Sequence, residues 1–405
     1  MWAFCHHAAV LEDAKSIVPR PHPPEIGDED IQGSKYVKRF LALIERIRSV
    51  AEEKRDPRQQ FDIQQLAGHL LFYFFTPILT SLRSIQRASE LKRVQKILGC
   101  SRVALGSLSE ANAVFDPELL RCAIHELVGE LRGQRQLPRE LKGLTAVDGT
   151  FLRAVPRMAW ALFRTNEKYR GAKAHVLYDI ELEAPIEASV TAANASEKGE
   201  LRKKLEAGRF YVMDAGYAQY QLFADIIKAQ SSFVCRIRDD AVREVIEERE
   251  LSQEAIEAGI KRDQVVRLGD EKVRQKLEHE VRVIEFQPPR TRADEKPGLM
   301  VLATDRLDMD AELVTLAYGY RWSVELFFRW FKCVLGCRDL ISQSENGVTI
   351  QVYMGIIASL LVSIWTGCKP NKALLERLAF YLMGMADDEE LEATLRRQPK
   401  HAQGA

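Results

Sequence analysis

The 405-residue sequence has no excess of either charge, because Lys and Arg together number 58 and Asp and Glu together also number 58. The net charge therefore predicts no partner, and a protein of this composition that binds nucleic acid must concentrate its cations locally. One stretch does so, with only Glu90 opposing it. Its basic residues are Arg83, Arg87, Lys92, Arg93, Lys96 and Arg102. This stretch is a candidate surface for binding phosphate groups.

The sequence also lacks a ladder of closely spaced cysteine pairs and a long apolar run, and we expect no secretory leader. Its seven cysteines are scattered, and the first residues include Glu12 and Asp13, so we expect a reducing, cytoplasmic environment. The longest apolar run, residues 352–365, is shorter than the roughly 20 residues that a bilayer requires. We predict that this run is a buried core helix and that no membrane is a partner.

The N-terminal third has a helical pattern after a proline-rich start. Residues 1–33 contain clustered prolines and acids, which favours a flexible arm. From residue 34 to about residue 140, apolar residues recur at helical spacing, which predicts a helical domain. Within it, residues 89–113 are compatible with two short helices broken near Gly99. They form either a helix-turn-helix with a recognition helix for a DNA groove or an ordinary bundle with a basic face.

Beyond Pro138 the pattern becomes strand-like, and two short apolar runs end in an aspartate that is followed closely by glycine. Residues 144–147 precede Asp148 and Gly149, and residues 210–213 precede Asp214, Ala215 and Gly216. A single Asp-Gly after a strand is most often a hairpin turn, and this explanation applies to each instance alone. Further strands are predicted at 173–181, 186–192 and 232–237, with helices at 196–205 and 219–229.

Residues 238–304 are predicted to be mainly β. Short runs rich in apolar residues at 265–268, 281–284 and 299–303 indicate strands, whereas residues 244–258 have a helical pattern.

Residues 318–332, with the sequence YGYRWSVELFFRWFK, predict an amphipathic helix. At about 100° per residue, one edge collects the polar and aromatic residues Tyr318, Arg321, Trp322, Glu325, Arg329 and Lys332. The opposite side is apolar and can pack against a core. The charges alone can be explained as i,i+4 ion pairs on a solvated face, each contributing only a few tenths of a kcal/mol.

The spacing Tyr-x2-Arg-x3-Glu-x6-Lys from Tyr318 to Lys332 resembles the signature helix of insertion sequence family 4 transposases. The resemblance implies an α/β catalytic core with a ribonuclease-H-like mixed sheet flanked by helices. It also implies a mainly β insertion and an all-α N-terminal domain. On this basis residues 34–140 are a DNA-end-binding domain, residues 141–237 and 305–370 the catalytic domain, and residues 238–304 the insertion. Residues 371–405 are a C-terminal helical segment and polar tail.

The resemblance also implies an active site. Asp148, Asp214 and Glu325 are the expected catalytic triad and the ligands of two Mg²⁺ ions, for which Mn²⁺ can substitute. Asp148 is expected to bridge both ions, with Asp214 and Glu325 holding one each. The expected DNA contacts are Tyr318, Arg321, Trp322, Arg329 and Lys332 around the helix, with Lys173 and His175 on the strand after Asp148.

The function implied by the resemblance is cut-and-paste transposition. The expected partners are the terminal inverted repeats of the element and target DNA, with a homodimer in the synaptic complex. Two alternatives remain open from the residues. A ribonuclease-H-like nuclease without strand transfer has the same triad, and a transposase-derived DNA-binding protein keeps the fold without needing three acids. The signature helix and the β insertion favour transposition.

Overall fold

In the computed structural model, the centre of the protein is a mixed sheet of nine strands. The strands are β1 (Leu144–Arg153), β2 (Gly171–Asp179), β3 (Ala184–Ala192), β4 (Phe210–Met213), β5 (Ser232–Ile237), β6 (Arg243–Glu248), β7 (Ile260–Leu268), β8 (Val281–Phe286) and β9 (Met300–Thr304). Their order across the sheet is β3-β2-β1-β4-β5-β9-β8-β7-β6. The β1–β4 and β4–β5 pairs are parallel, and every other neighbouring pair is antiparallel.

Helices flank this sheet. They are α1 (Ile63–Phe75), α2 (Leu82–Ala88), α3 (Lys92–Leu98), α4 (Leu105–Val114), α5 (Glu118–Glu130), α6 (Glu197–Arg202), α7 (Tyr220–Lys228), α8 (Gln253–Glu257), α9 (Ala311–Gly319), α10 (Trp322–Cys333), α11 (Glu345–Thr366), α12 (Lys372–Leu382) and α13 (Asp388–Arg397). The structure describes residues 42–46, 61–76, 78–131, 133, 135–153, 158–161, 170–269, 277–288, 298–333, 335–337, 339–382 and 385–397. The predicted arm at 1–33 and the end of the predicted tail lie outside these residues.

The order of elements from β1 to β5 agrees with the sequence prediction. Three strands, a helix, a strand, a helix and a fifth strand follow one another along the chain. Asp148 and Gly149, however, are not a hairpin turn, because β1 continues through them to Arg153 and pairs with β2 along its length. The short apolar run before Asp148 is therefore the first half of a longer strand.

The prediction of a helix over residues 244–258 was wrong. This segment contains the strand β6 and, after a break, only the short helix α8. β6 contains the adjacent β-branched residues Val245 and Ile246, and it pairs with β7, so a non-local contact overrides the local helical pattern. The segment does not form a separate sheet, because β9 pairs with β5 and extends the central sheet.

All the elements described between residues 63 and 130 are helices. The predicted break near Gly99 is present: α3 ends there with a glycine φ of 65°, a left-handed conformation that suits glycine. The helix α11 contacts α1, α4 and α5 and also β3. The N-terminal helices and one face of the sheet therefore share a hydrophobic core. The division into domains at the bounds given above stays a prediction.

The helix α11 contains the longest apolar run. By length and composition it is the one candidate for a membrane span among the described residues, and 89% of its most apolar window is buried inside the protein. The sequence prediction that residues 352–365 form a buried core helix agrees with this placement.

The two faces of the sheet bury different cores, and this decides where functional side chains can point. Residues of even number in β1, such as Ala146, belong to the core that also contains Val324 and Phe331 of α10. Residues of odd number, such as Val147, belong to a second core under α7 that contains Phe223. Because successive side chains in a strand point to opposite faces, Asp148 lies on the α10 side of the sheet.

Candidate active site

The parallel pairing of β1 with β4 brings the two predicted aspartates together. Leu144 is opposite Phe210 and Ala146 is opposite Val212. Continuing this register by two residues places Asp148 beside Asp214, at the strand spacing of about 5 Å. Both side chains lie on the same face, because Ala146 and Val212 share the core next to α10.

Local hydrogen bonds orient the two carboxylates. The backbone N–H of Gly149 donates to Asp148 Oδ1 at 2.7 Å, and the N–H of Gly216 donates to Asp214 Oδ1 at 2.8 Å. Asp214 thereby caps the short 3₁₀ helix Ala215–Tyr217. A Cβ atom on Gly216 would lie 2.9 Å from Asp214 Oδ1, so glycine leaves the room that this carboxylate needs.

The third predicted acid, Glu325, is in the first turn of α10. Its helix packs on β1 and β2 through an apolar side formed by Val324, Phe327 and Phe331, all of which are buried. The Arg321 guanidinium donates to Glu325 Oε1 at 2.5 Å, as an i,i+4 pair. The amphipathic pattern of the sequence therefore correctly predicted both the buried side of the helix and this ion pair.

The electrostatics of Asp148 show that the three acids lie near one another. The pKa of Asp148 is raised to about 6, chiefly by burial and also by the nearby charges of Asp214 and Glu325, while the Gly149 N–H and Arg321 oppose the rise. Like charges raise a carboxyl pKa only at short range. Asp148, Asp214 and Glu325 are therefore one electrostatic group.

This group is not a ready-made ligand set. Among the residues that the structure describes, no three His, Cys, Asp or Glu side chains are arranged to hold a metal ion. The Arg321–Glu325 ion pair gives a physical reason why Glu325 is not placed as a ligand, because the Arg321 guanidinium already binds Glu325 Oε1. Three carboxylates with one buried member are nevertheless the type of donor set that Mg²⁺ prefers.

The sequence predicts one continuous helix for the signature residues, and this prediction is wrong. Tyr318 lies near the end of α9, Tyr320 and Arg321 form a turn, and α10 begins at Trp322. The N–H of Arg321 bonds to the carbonyl of Tyr318, three residues earlier. Such i−3 bonds tighten the last turn of a helix and end it.

The turn still gathers the signature side chains. The Arg321 Cζ atom is 5.9 Å from the ring centre of Tyr318 and 5.4 Å from that of Trp322, and the Trp322 side chain is 47% exposed. Burial lowers the pKa of Lys332, and the nearby charges of Cys333 and Asp148 oppose this effect, so Lys332 lies near the acids. Arg329 is exposed on the same helix.

Lys173 and His175 lie on the other face of the sheet. They pair with Phe151 and Gly149, whose side-chain positions point away from Asp148. Lys173 Nζ is 2.8 Å from Glu197 Oε1, and His175 Nε2 is 2.8 Å from Thr191 Oγ1. His175 is buried, which lowers its pKa to about 4. Their contact with DNA stays a prediction.

Arg236 is a candidate site residue that the sequence analysis missed. The β4–β5 register pairs Met213 with Cys235, so one further step places Arg236 beside Asp214 on the Asp148 side. Burial raises the pKa of Tyr318, and the charges of Arg321 and Arg236 oppose this effect. Arg236 therefore lies within electrostatic range of the signature turn. Only the strand register reveals it, since nothing local distinguishes this arginine.

Comparison with known proteins identifies the family of this chain. Residues 139–361 match the family described as the transposase DDE domain. The chain is 31% identical over 244 residues to a putative transposase, y4zB, of Sinorhizobium fredii, in a match that covers 59% of this chain and 66% of that relative, slightly less than two thirds. It is 24% identical over 328 residues to a probable transposase for insertion sequence element IS5377 of Geobacillus stearothermophilus, covering 80% of this chain and 82% of the relative.

One solved structure, a cryo-EM structure of a piggyBac transposase synaptic complex with hairpin DNA, matches with a TM-score of 0.42 and 14% identity, covering 92% of this chain and 83% of that chain. A TM-score of this size carries no argument about fold or function. The family match, in contrast, spans more than half of the sequence and includes Asp148, Asp214 and Glu325. The chain therefore belongs to the family of transposases with a DDE domain.

Proposed function

We propose that this protein catalyses Mg²⁺-dependent cleavage at the ends of its insertion sequence and joins the exposed 3′-hydroxyls to target DNA. The observation that carries the proposal is the electrostatic group on the α10 side of the sheet. Asp148 from β1, Asp214 after β4 and Glu325 from α10 lie close enough for two of them to raise the pKa of the third. The three acids come from distant parts of the chain, so their proximity depends on the fold. A chance ion pair on the surface needs no such arrangement.

The donor chemistry supports divalent metal binding by these acids. Buried or closely spaced carboxylates are stabilised by a cation, and burial together with the neighbouring acids raises the pKa of Asp148, so a bound cation would favour its charged form. Asp148, Asp214 and Glu325 would hold the metal, with Glu325 exchanging its contact to Arg321. Bound Mg²⁺ would activate a water or 3′-hydroxyl and neutralise the departing oxygen.

The cations and aromatic residues around the acids support binding of the scissile phosphate. Arg321 and Lys332 are near Asp148, and Arg236 is beside Asp214, so three positive side chains can contact phosphate oxygens. An arginine guanidinium suits this because it binds two phosphate oxygens at once. Tyr318 would donate a hydrogen bond to the DNA backbone, and the exposed Trp322 ring would stack on an unpaired base.

The fold supports a finer assignment. In the order β3-β2-β1-β4-β5, the β3–β2 and β2–β1 pairs are antiparallel and the β1–β4 and β4–β5 pairs are parallel. We infer from this arrangement that the core is ribonuclease-H-like. The signature at Tyr318, Arg321, Glu325 and Lys332 supports membership of insertion sequence family 4. The free cysteines among the described residues support a cytoplasmic protein.

DNA binding outside the active site is assigned to the N-terminal helices. Arg83, Arg87, Lys92 and Arg102 are exposed on or beside α2 and α3, which supports contact with the terminal inverted repeats. Two ends must be joined to one target, so a homodimer would hold the synaptic complex. We keep these assignments as part of the proposal.

The decisive experiment is cleavage of a labelled element end in Mg²⁺ by Glu325→Gln. The variant keeps the size of the side chain but removes its charge, so we expect cleavage to be lost while end binding in a mobility-shift assay is retained. Glu254→Gln, in the first turn of the exposed helix α8, is the matched control and should cleave normally. Cleavage by Glu325→Gln at the wild-type rate would show that the assignment is wrong.

A second assay separates transposition from simple DNA hydrolysis. Pre-cut ends with free 3′-hydroxyls are incubated with a supercoiled target plasmid and Mg²⁺. A transposase joins them, whereas a ribonuclease-H-like nuclease leaves the ends unjoined. A protein that binds DNA without catalysis shows no Mg²⁺- or Mn²⁺-dependent cleavage in either assay.

A further inference from the structure

A buried carboxylate lies at the hairpin between β2 and β3, away from the catalytic acids. Glu183 is only 4% exposed, and its φ of 51° places it in the left-handed region, which is uncommon for residues other than glycine, asparagine and aspartate. A buried charge in an unfavourable backbone conformation persists only when the surrounding structure holds it there. The contacts of Glu183 therefore indicate which segments of the chain the hairpin holds in place.

Two cations from different parts of the chain meet at Glu183. Arg135 Nη2 is 2.7 Å from Glu183 Oε1, and Lys369 Nζ is 3.6 Å from the same oxygen. The backbone N–H of Arg135 also bonds to the carbonyl of Glu181 at 3.0 Å. Arg135 belongs to the segment that joins α5 to β1, and Lys369 follows α11. The hairpin thereby fixes both segments against the sheet.

These contacts continue to the turn that presents the signature residues. The Arg135 Cζ atom is 5.0 Å from the ring centre of Tyr320, and Tyr320 lies between α9 and α10, immediately before Arg321. The Tyr178 hydroxyl donates to the carbonyl of Glu183 at 2.6 Å. The Tyr178 ring is in turn 5.7 Å from that of Phe327 in α10. The network around Glu183 therefore makes two contacts at the start of α10. One is with Tyr320, just before the helix begins, and the other is with Phe327 in its second turn.

We propose that Arg135 and Glu183 are positioning residues that fix the turn carrying Arg321, and that they orient Glu325 through its ion pair with Arg321. The proposal rests on the function proposed above, because it assigns these residues to the geometry of that site. Arg135 acts through the Tyr320 ring, by a cation–π contact that holds the turn. Glu183 acts through Arg135, since it keeps the guanidinium over the ring and neutralises it.

The test compares Arg135→Ala, Arg321→Ala and the double variant in single-turnover cleavage of an element end. Small displacements at a catalytic centre reduce rates strongly, so we expect Arg135→Ala to lower the rate by roughly tenfold or more. If Arg135 acts through the turn, its loss should change the rate of the Arg321→Ala protein by less than about twofold, because coupled residues are not additive. The affinity of Arg135→Ala for the end should stay within about twofold of the wild-type affinity.

Further variants separate positioning from folding. Tyr320→Leu removes the ring while leaving the Arg135–Glu183 pair, and it should reproduce the loss of cleavage even if Arg135→Ala does not fold. Arg135→Lys keeps the charge beside Glu183 and should restore part of the rate. Arg396→Ala removes an exposed arginine on α13 and is the control with wild-type cleavage. Thermal unfolding of each protein reports its stability separately.

The outcomes distinguish this proposal from the function on which it rests. If the wild-type protein does not cleave element ends, the proposed function fails. If the wild type cleaves but Arg135→Ala and Tyr320→Leu cleave equally well, or if Arg135→Ala and Arg321→Ala lower the rate by independent, multiplied factors, the positioning role is refuted.

Discussion

Replacing Asp148 with asparagine should make the metal-free protein more stable at pH 8. Burial and the neighbouring acids raise the pKa of Asp148 from its ordinary 3.8 to about 6. At about 1.4 kcal/mol for each tenfold change in proton affinity, ionising this carboxyl costs the folded state about 3 kcal/mol relative to the unfolded state. Asparagine has nearly the same shape and carries no charge, so Asp148→Asn removes this cost.

The pH dependence gives the sign of the effect. Because folding raises the pKa of Asp148, the folded protein binds this proton more tightly than the unfolded chain does. The destabilisation is therefore absent below about pH 4, develops as the pH rises to about 6, and is complete above about pH 6. The stability difference between Asp148→Asn and the wild type should grow over that interval and then level off.

The measurement is urea unfolding of both proteins with EDTA at several pH values between 5 and 8. Asp240→Asn, at a side chain that is 71% exposed, is the control and should follow the wild type. Adding Mg²⁺ should stabilise the wild type more than Asp148→Asn, since a ligand that binds only the folded state adds to its stability. Equal stability of the two proteins at pH 8 without metal would refute the electrostatic reasoning.

Three further changes test other parts of the structure. Gly149→Ala places a Cβ 2.9 Å from Glu197 Oε1 and 3.1 Å from the Lys173 side chain; both are flexible side chains that can move aside, so gel assays should show cleavage close to the wild-type rate, and a large loss would mean that β1 itself shifts beside Asp148. Arg236→Ala should raise the KM for pre-cut ends in strand transfer, and an unchanged KM would remove Arg236 from the site. Arg282→Ala leaves Asp263, 3% exposed and paired with it at 2.5 Å, as an unpaired buried charge. This should cost about 3–5 kcal/mol in urea unfolding, and a loss under about 1 kcal/mol would contradict the pairing.

Features that depend on short-range sequence patterns could be predicted. The strands and helices from β1 to β5 follow from apolar spacing and turn residues, and the break after α3 follows from Gly99. The amphipathic pattern of α10 identified its buried side, including Val324 and Phe327. The i,i+4 spacing identified the Arg321–Glu325 pair. In each case the residues that determine the feature lie within one or two helical turns, so the sequence alone contains the signal.

Features that depend on pairing between distant segments could not be predicted. β6 has a helical pattern but is a strand because it pairs with β7, and the segment joins the central sheet because β9 pairs with β5. Arg236 becomes a site residue only through the register of β5 against β4. The turn before α10 was also missed, because the apolar pattern continues smoothly through Tyr320 while the backbone hydrogen bonds change there. Local patterns carry no information about register across strands.

The arrangement of charge on the α10 side of the sheet suggests why metal and DNA should bind together. Asp148, Asp214 and Glu325 contribute three negative charges, and Arg321, Lys332 and Arg236 contribute three positive charges nearby. In the structure, the cations partly neutralise the acids, as the Arg321–Glu325 pair illustrates. When phosphate groups engage those cations, the acids lose this compensation and their affinity for a divalent cation rises. A bound divalent metal ion in turn frees the three basic side chains to contact phosphate. Reciprocal coupling of this kind follows from linkage, so each ligand should increase the affinity for the other.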